Sequence, residues 1–469
     1  MNSYKKLAGN SFIFAVGSLG SKLVSIILVP LYTYYLSTEE YGTVDLLLTT
    51  VTMLLPIVTA SSFEALLRFA MDKKNDASEV LDQSLIITFI GFVLFLVLYP
   101  VLAFFNVFGP YLPYLYGLLL VQMLERTLAQ YARAINYIKI FALNGILLTF
   151  TTGILNILFL MVFELGVTGY FTSMILANAL SIVFLFVMTK VYRTLRLRKM
   201  NKPLVKEMLQ YSVPMIPNSL MWWLINASSR YFIRFFVGAS GNGLFAVASK
   251  IPTIINLINQ IFTQAWQISA IEEFENKNKS EFYSTVFRYL ASIMFIGASA
   301  VTLIVKFLFV HLFAADYYSS WQAVPFLLLS SVFATFSGFL GTNYVAAKET
   351  KGVFKTSVYG GGLSLLFNVI FIPMFGIVGA GLSSMLSFFL MFVLRVFDTR
   401  KFIAMTINWP IQLASIGLIL LQTALLFANL SAPIEYSVNS VLFLIVFVMN
   451  RDIFTLLIKI VKQKLAKNR

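Results

Sequence analysis

Runs of twenty or more mostly apolar residues follow one another along this chain with almost nothing between them. They lie near 10–36, 43–64, 83–106, 111–133, 140–163, 169–192, 209–236, 243–267, 286–313, 321–345, 353–375, 377–397, 407–428 and 436–458. An α-helix rises about 1.5 Å per residue, so about 20 residues cross the roughly 30 Å hydrocarbon core of a bilayer. Lipid offers no hydrogen bonds, so each run must satisfy its own backbone, which a helix does. The chain is therefore expected to be an all-α integral membrane protein with about 14 transmembrane helices. The longest segments between runs, 193–208 and 268–285, are too short for a soluble domain. Only 12% of residues are charged, against about 25% in a soluble domain.

Charge orients the helices. With the N-terminus in the cytoplasm, 29 of the 35 Lys and Arg residues fall on inner loops, inner helix ends or the C-terminal tail. The densest run is Lys190, Arg193, Arg196, Arg198, Lys199, Lys202 and Lys206. Arg395 and Arg400 are counted among these inner residues, while the outer loops at 37–42, 237–242 and 429–435 contain none. This asymmetry predicts an even number of spans with both termini cytoplasmic. The net charge of +15 is thus read as positive-inside bias and not as nucleic-acid binding. No cleavable signal peptide is expected, because the first apolar run continues to about Leu36 without a small-residue cleavage site.

Several chemistries are excluded at once. There is no cysteine and one histidine, His311, so thiol catalysis, cysteine metal sites and multi-histidine centres are ruled out. No phosphate-binding loop, nucleophile elbow or acidic metal cluster is found. No catalytic residue, metal or cofactor is predicted.

The sequence repeats itself. NILFLMVFELGVTGY starts at Asn156, and NVIFIPMFGIVGAGL starts at Asn368, 212 residues later. Both hold an Asn, an apolar run, a Phe, a Gly turn and a second Gly, with a two-residue difference in length. Six helices per copy keep the same membrane orientation, so two six-helix lobes should be related by an axis along the membrane normal. The expected divisions are 1–206, 207–402, and 403–469 for two further helices and a basic tail.

Six cations lie inside the spans: Lys22, Arg126, Arg230, Arg234, Lys250 and Lys306. Each costs about 2.5–3.5 kcal/mol at the bilayer centre unless paired or hydrated. Asp45, Glu64 and Glu125 are the acids read in or near spans, and they are candidates for coupling. The excess of cations suits a cavity for an anion. Arg230 and Arg234 are four residues apart and share a helical face, which runs back through Asn226 and Trp223 to Ser219. Ser249, Thr253, Asn256, Gln260, Gln264 and Gln267 form a polar stripe beside Lys250. Amides and a ring suit sugar, and guanidinium suits phosphate. Such groups also serve as glue between helices. Arg234 and Lys306 sit near outer helix ends, where they can snorkel to headgroups.

These residues carry a resemblance. YYLSTEEYG after the first run, EALLRF after the second, SSRYFIRFFVGASGNGLFAVASKI from Ser228 and NVIFIPMFGIVGAGLSS from Asn368 resemble the Wzx-type polysaccharide flippases. Those belong to the multidrug/oligosaccharidyl-lipid/polysaccharide transporter superfamily. The resemblance implies two six-helix lobes around a central cavity, with two additional C-terminal helices. It implies an undecaprenyl-diphosphate-linked oligosaccharide moved across the bacterial cytoplasmic membrane by alternating access. Arg230, Arg234 and Lys250 occupy basic positions of the family motif, while Ser229 stands where many relatives carry an acid. Lys22 has the setting of a family cavity cation. The implied substrate-binding set is Lys22, Arg230, Arg234 and Lys250 for the diphosphate, with Trp223, Asn226, Asn256 and Gln260 for sugar. Membrane lipids and a polysaccharide polymerase are the implied partners. The setting would be lipopolysaccharide or capsule synthesis. A cation-coupled multidrug exporter of the superfamily and a peptidoglycan-precursor flippase are the alternatives.

Overall fold

The computed structural model describes residues 24, 26–72, 74–196, 199–274, 276, 278–347, 350–428 and 430–451. Among these residues the regular secondary structure is helical, without a strand. Nine described helical segments, against the fourteen runs expected, are long and apolar enough to cross a membrane by themselves. One of them, Gly352–Thr399, has 48 residues and is two helices joined at the non-helical Gly376 (φ 57, ψ −131), each with enough residues for one crossing. The expected run 10–36 lies mostly outside the described residues, the run 111–133 carries Glu125, Arg126 and Arg133, and the runs 209–236 and 243–267 are interrupted. The contacts divide the chain into two compact units, Met1–Trp223 and Leu224–Arg469.

The first unit contains α1 (Ile26–Tyr35), α2 (Thr38–Val58), α3 (Ser62–Ala70), α4 (Ala77–Leu96), α5 (Tyr99–Phe104), α6 (Leu112–Ala134), α7 (Ile138–Ile157), α8 (Gly166–Met188), α9 (Val191–Thr194) and α10 (Lys202–Ser212). The unit boundary falls within α11 (Met215–Ala227). The YYLSTEEYG motif is a helix start. Ser37 Oγ accepts from the Glu40 amide at 3.2 Å, and Glu40 Oε2 accepts from the Ser37 amide at 2.8 Å, a reciprocal capping box. The span expected at 43–64 ends sooner, at Val58, where Ala60 and Ser61 turn through positive φ before α3. Gly91 of α4 packs where any Cβ would lie 1.8 Å from the Val58 carbonyl oxygen. The segment 193–208, expected to be a loop, instead holds α10. Leu204, Val205 and Met208 of α10 are buried, and they join a core with Leu66, Leu81, Leu128 and Leu185.

The second unit contains α12 (Ser229–Phe236), α13 (Ala239–Ala248), α14 (Ile251–Glu272), α15 (Lys279–Leu312), α16 (Val324–Ala346), α17 (Thr350–Thr399), α18 (Trp409–Phe427) and α19 (Ala432–Met449). Its core is aromatic, with Phe287, Phe336 and Phe392 buried against one another. The expected span 209–236 is interrupted at Val213–Pro214 and at Ser228, and the span 243–267 at Ser249–Lys250.

The repeat is visible in hydrogen bonds. Asn156 is wholly buried, donates to the Tyr32 hydroxyl at 3.0 Å and accepts from Ser173 Oγ at 2.5 Å. Asn368 is likewise buried, donates to Ser228 Oγ at 3.3 Å and accepts from Ser229 Oγ at 3.1 Å. Each Asn ties its helix to the first helix region of its own unit. The following turns use positive φ at Glu164 and Gly166 in one copy and at Gly376 in the other. Gly169 then packs near the Phe159 backbone, and Gly379 packs on that of Phe371. The first interval is two residues longer than the second, which accounts for the length difference.

Two basic residues differ from expectation. Arg395, counted among the inner loop and helix-end charges, is fully buried. It donates to Thr356 Oγ1 at 3.0 Å, the Ser337 carbonyl at 2.6 Å and Ser357 Oγ at 3.2 Å. Lys306, expected to snorkel, instead meets Glu435 Oε2 and the Leu426 carbonyl, each at 2.7 Å. Glu435 lies in the first turn of α19 and is buried, so its placement in an outer loop is corrected.

Candidate functional site

A polar cavity of about 270 Å³ lies inside the second unit. Arg230 enters it from the start of α12, and Ser249 and Lys250 from the turn between α13 and α14. Both helix interruptions therefore border the same space. Arg230 donates to Ser249 Oγ at 3.4 Å and stands 5.8 Å above the Phe245 ring. Thr253 and Asn256 continue the wall one and two turns along α14, and Asn256 donates to Ser331 Oγ at 3.4 Å. Ser330 and Ser331 of α16 and Ser384 of α17 close the far side. Among the described lining residues there is no carboxylate. Two cations, hydroxyls and an amide can together hold an anion that also carries hydroxyl groups.

A smaller cavity, about 170 Å³, lies inside the first unit. Glu64 of α3, Arg126 of α6, and Ser219 and Trp223 of α11 line it beside Pro56. Arg126 lies 4.7 Å over the Phe63 ring. Trp223 Nε1 donates to the Thr49 carbonyl at 3.1 Å, which fixes the indole while leaving part of its ring on the cavity wall.

A family model described as polysaccharide biosynthesis protein matches residues 7–267, more than half of the chain. The chain belongs to this family. The match includes Arg230, Lys250 and Asn256 of the larger cavity. An uncharacterized membrane protein of Methanocaldococcus jannaschii is 29% identical over 91 residues. That alignment covers 19% of this chain and 18% of the relative, so the chain spans under a fifth of that relative's length. The fold is similar to that of two solved transporters. A lipid II flippase MurJ in an inward closed conformation has a TM-score of 0.67 at 13% identity, covering 94% of this chain and 98% of its own. An inward-facing multidrug resistance MATE family transporter of the MOP superfamily has a TM-score of 0.63 at 16% identity, covering 81% and 95% respectively.

In this member of the family the residues predicted from sequence distribute unevenly. Arg230, Lys250 and Asn256 come together in the larger cavity, and Glu64 and Trp223 in the smaller. Arg234 lies one turn beyond Arg230 in the exposed last turn of α12 and does not line either cavity. Asp45 is buried on α2, away from both linings. Glu125 accepts from Asn144 at 2.8 Å and from Ser181 at 3.5 Å, joining α6, α7 and α8. Lys22 lies outside the described residues, as do the side chains of Asn226 and Gln260. Sequence reasoning missed Ser330, Ser331 and Ser384. Their signal was two Ser-Ser pairs set in otherwise apolar runs, LLLSSVF and GLSSML.

Proposed function

We propose that this protein is a flippase for an undecaprenyl-diphosphate-linked oligosaccharide in the bacterial cytoplasmic membrane, working by alternating access. The observation that carries the reading is the meeting of Arg230 and Lys250 in one polar cavity whose described lining holds no carboxylate. Family membership and the transporter fold support it. Arg230 and Lys250 take the diphosphate, and Asn256, Ser331 and Ser384 take sugar hydroxyls. At an effective dielectric of about 20, opposite charges 4 Å apart attract by about 4 kcal/mol, against about 1 in bulk water. Diphosphate bound between Arg230 and Lys250 lowers the cost of carrying its own charge through the membrane, which couples reorientation to loading. Cationic drugs would be repelled by the same pair.

The test is translocation of a fluorescent diphosphate-linked oligosaccharide in proteoliposomes. Arg230→Gln with Lys250→Gln should abolish transport while leaving reconstitution and orientation normal. Wild-type transport by the double variant would overturn the reading, as would export of cationic drugs in place of the lipid-linked sugar.

A further inference from the structure

Glu64 and Arg126 line the same cavity of about 170 Å³ in the first unit. Among the described residues neither side chain has an ion pair or a hydrogen bond, with the other or with a third group. Charged groups within a membrane protein pair with one another or face water or a ligand. An acid and a base that share one space without pairing make that space strongly polar and close to neutral overall.

The local structure holds these groups in place. Ala60 and Ser61 have φ 48 and 51, and they turn the chain so that α3 begins at Ser62 with Glu64 in its first turn. Non-glycine residues at positive φ carry strain of the kind that gathers at ligand sites. Arg126 lies 4.7 Å over the buried Phe63 ring, and stacking of this kind orients a guanidinium plane. Trp223 has its Nε1 on the Thr49 carbonyl, so it offers the cavity a ring and not a donor.

The hydroxyls on the wall are acceptors. Thr52 Oγ1 donates to the Thr49 carbonyl at 2.7 Å, Ser61 Oγ to the Pro56 carbonyl at 3.4 Å and Ser219 Oγ to the Met215 carbonyl at 3.2 Å. A hydroxyl whose proton is used in this way presents lone pairs to its surroundings. With the Glu64 carboxylate, the wall calls for several O–H donors. Arg126 calls for an oxygen acceptor, and the indole for an apolar face. A sugar ring supplies all three. The space is that of about six waters, room for one ring. A phosphoethanolamine headgroup would meet the two charges but leave the indole unused.

We propose that this cavity is a subsite for one neutral sugar ring of the translocated oligosaccharide, with hydroxyls on Glu64, an oxygen on Arg126 and the C–H face on Trp223. It rests on the flippase reading for the source of the sugar. Glu64 repels a uronic acid and Arg126 repels an amino sugar, which selects a neutral ring. Glu64, a coupling candidate by sequence, is then a sugar ligand.

The experiment titrates the full chain in phosphatidylcholine nanodiscs with the methyl glycosides of glucose, galactose, mannose and N-acetylglucosamine, read by saturation-transfer NMR. At least one should bind, with the strongest saturation on ring C–H protons. Methyl glucuronide, and methyl glucosaminide with its free amine, should bind at least about tenfold more weakly. Glu64→Gln, which keeps the shape of the side chain, should weaken the neutral glycoside about tenfold, the value of about one hydrogen bond to a charged group. Trp223→Leu should also weaken it. Binding of none of the four, binding unchanged in either variant, a charged sugar held as tightly as a neutral one, or glycerophosphoethanolamine bound in their place would each overturn the proposal. A chain that flips the lipid-linked oligosaccharide yet binds no glycoside refutes the subsite and leaves the flippase reading standing. A chain that binds glycoside through Glu64 without flipping does the reverse.

Discussion

Lys306 Nζ and Glu435 Oε2 stand 2.7 Å apart, joining the long α15 to the start of α19. The ammonium also donates to the Leu426 carbonyl at the end of α18 and lies 4.7 Å over the Trp321 ring. One cation therefore binds both of the last two helices to the body of the second unit. Removing one partner leaves a buried charge, which costs about 3–5 kcal/mol. Glu435→Gln and Lys306→Met should each lower the unfolding temperature in lipid nanodiscs. The double change Lys306→Leu with Glu435→Leu should recover most of the loss. A double variant no better than either single would show that the pair does not act as a unit.

The matched asparagines are expected to behave alike. Leaving a buried polar group without its partner costs about 1–3 kcal/mol. Asn156→Leu removes the bonds to the Tyr32 hydroxyl and Ser173, and Asn368→Leu removes those to Ser228 and Ser229. Both should destabilise by similar amounts in denaturant unfolding followed by Trp fluorescence. A large effect at one position and none at the other would argue that the two copies do not use the Asn in the same way.

The repeat turn makes a sharper test. Gly376 has φ 57 and ψ −131, a region essentially closed to side chains, so Gly376→Ala should cost about 1–3 kcal/mol. At the aligned position of the first copy Glu164 has φ 51. Glu164→Gly relieves that strain and should be neutral or stabilising. Thermal melts of the two variants give opposite signs if the turns are equivalent.

Arg395 should resist conservative exchange. Its guanidinium reaches two hydroxyls and a carbonyl on α16 and α17 at once, and lysine cannot present that fork. Arg395→Lys should therefore lose stability nearly as far as Arg395→Ala, measured as yield of folded protein in detergent. Gly341→Ala should destabilise as well, because the new Cβ would lie 2.9 Å from Arg395 Nη1.

At the larger cavity, charge alone is not expected to be enough. Arg230→Lys keeps the cation but loses the contact with Ser249 and the position over Phe245. Transport should fall about tenfold, the size of about 1.4 kcal/mol, with expression unchanged. Full activity in Arg230→Lys would mean that the cavity reads net charge and not geometry.

Much of the fold was legible because lipid imposes simple rules. Apolar run length marks a crossing, and the Asn156 and Asn368 segments were recognisable as copies from residue order alone. Chain breaks were harder. Nothing in the apolar pattern distinguishes an uninterrupted span from one that turns at Ser228 or at Ser249–Lys250. The amphipathic α10 was hidden because its charged face reads as loop. Arg230, Lys250 and Asn256 could be proposed because charges and amides stand out against an apolar background. Ser330, Ser331 and Ser384 could not, since serines also glue helices together and only their neighbours distinguish the two roles.

By itself, the sequence determined that this chain lives in a membrane, which end of each helix is basic, and that the Asn156 and Asn368 segments correspond, because these follow from composition and residue order. The tertiary structure decided which cations are structural and which line a cavity. Lys306 and Arg395 are held by partners more than 35 residues away along the chain, whereas Arg230 and Lys250 meet across two helix breaks. A charge in an apolar run announces only that something must compensate it. What compensates it is settled in three dimensions, by the groups that packing brings within a few ångströms.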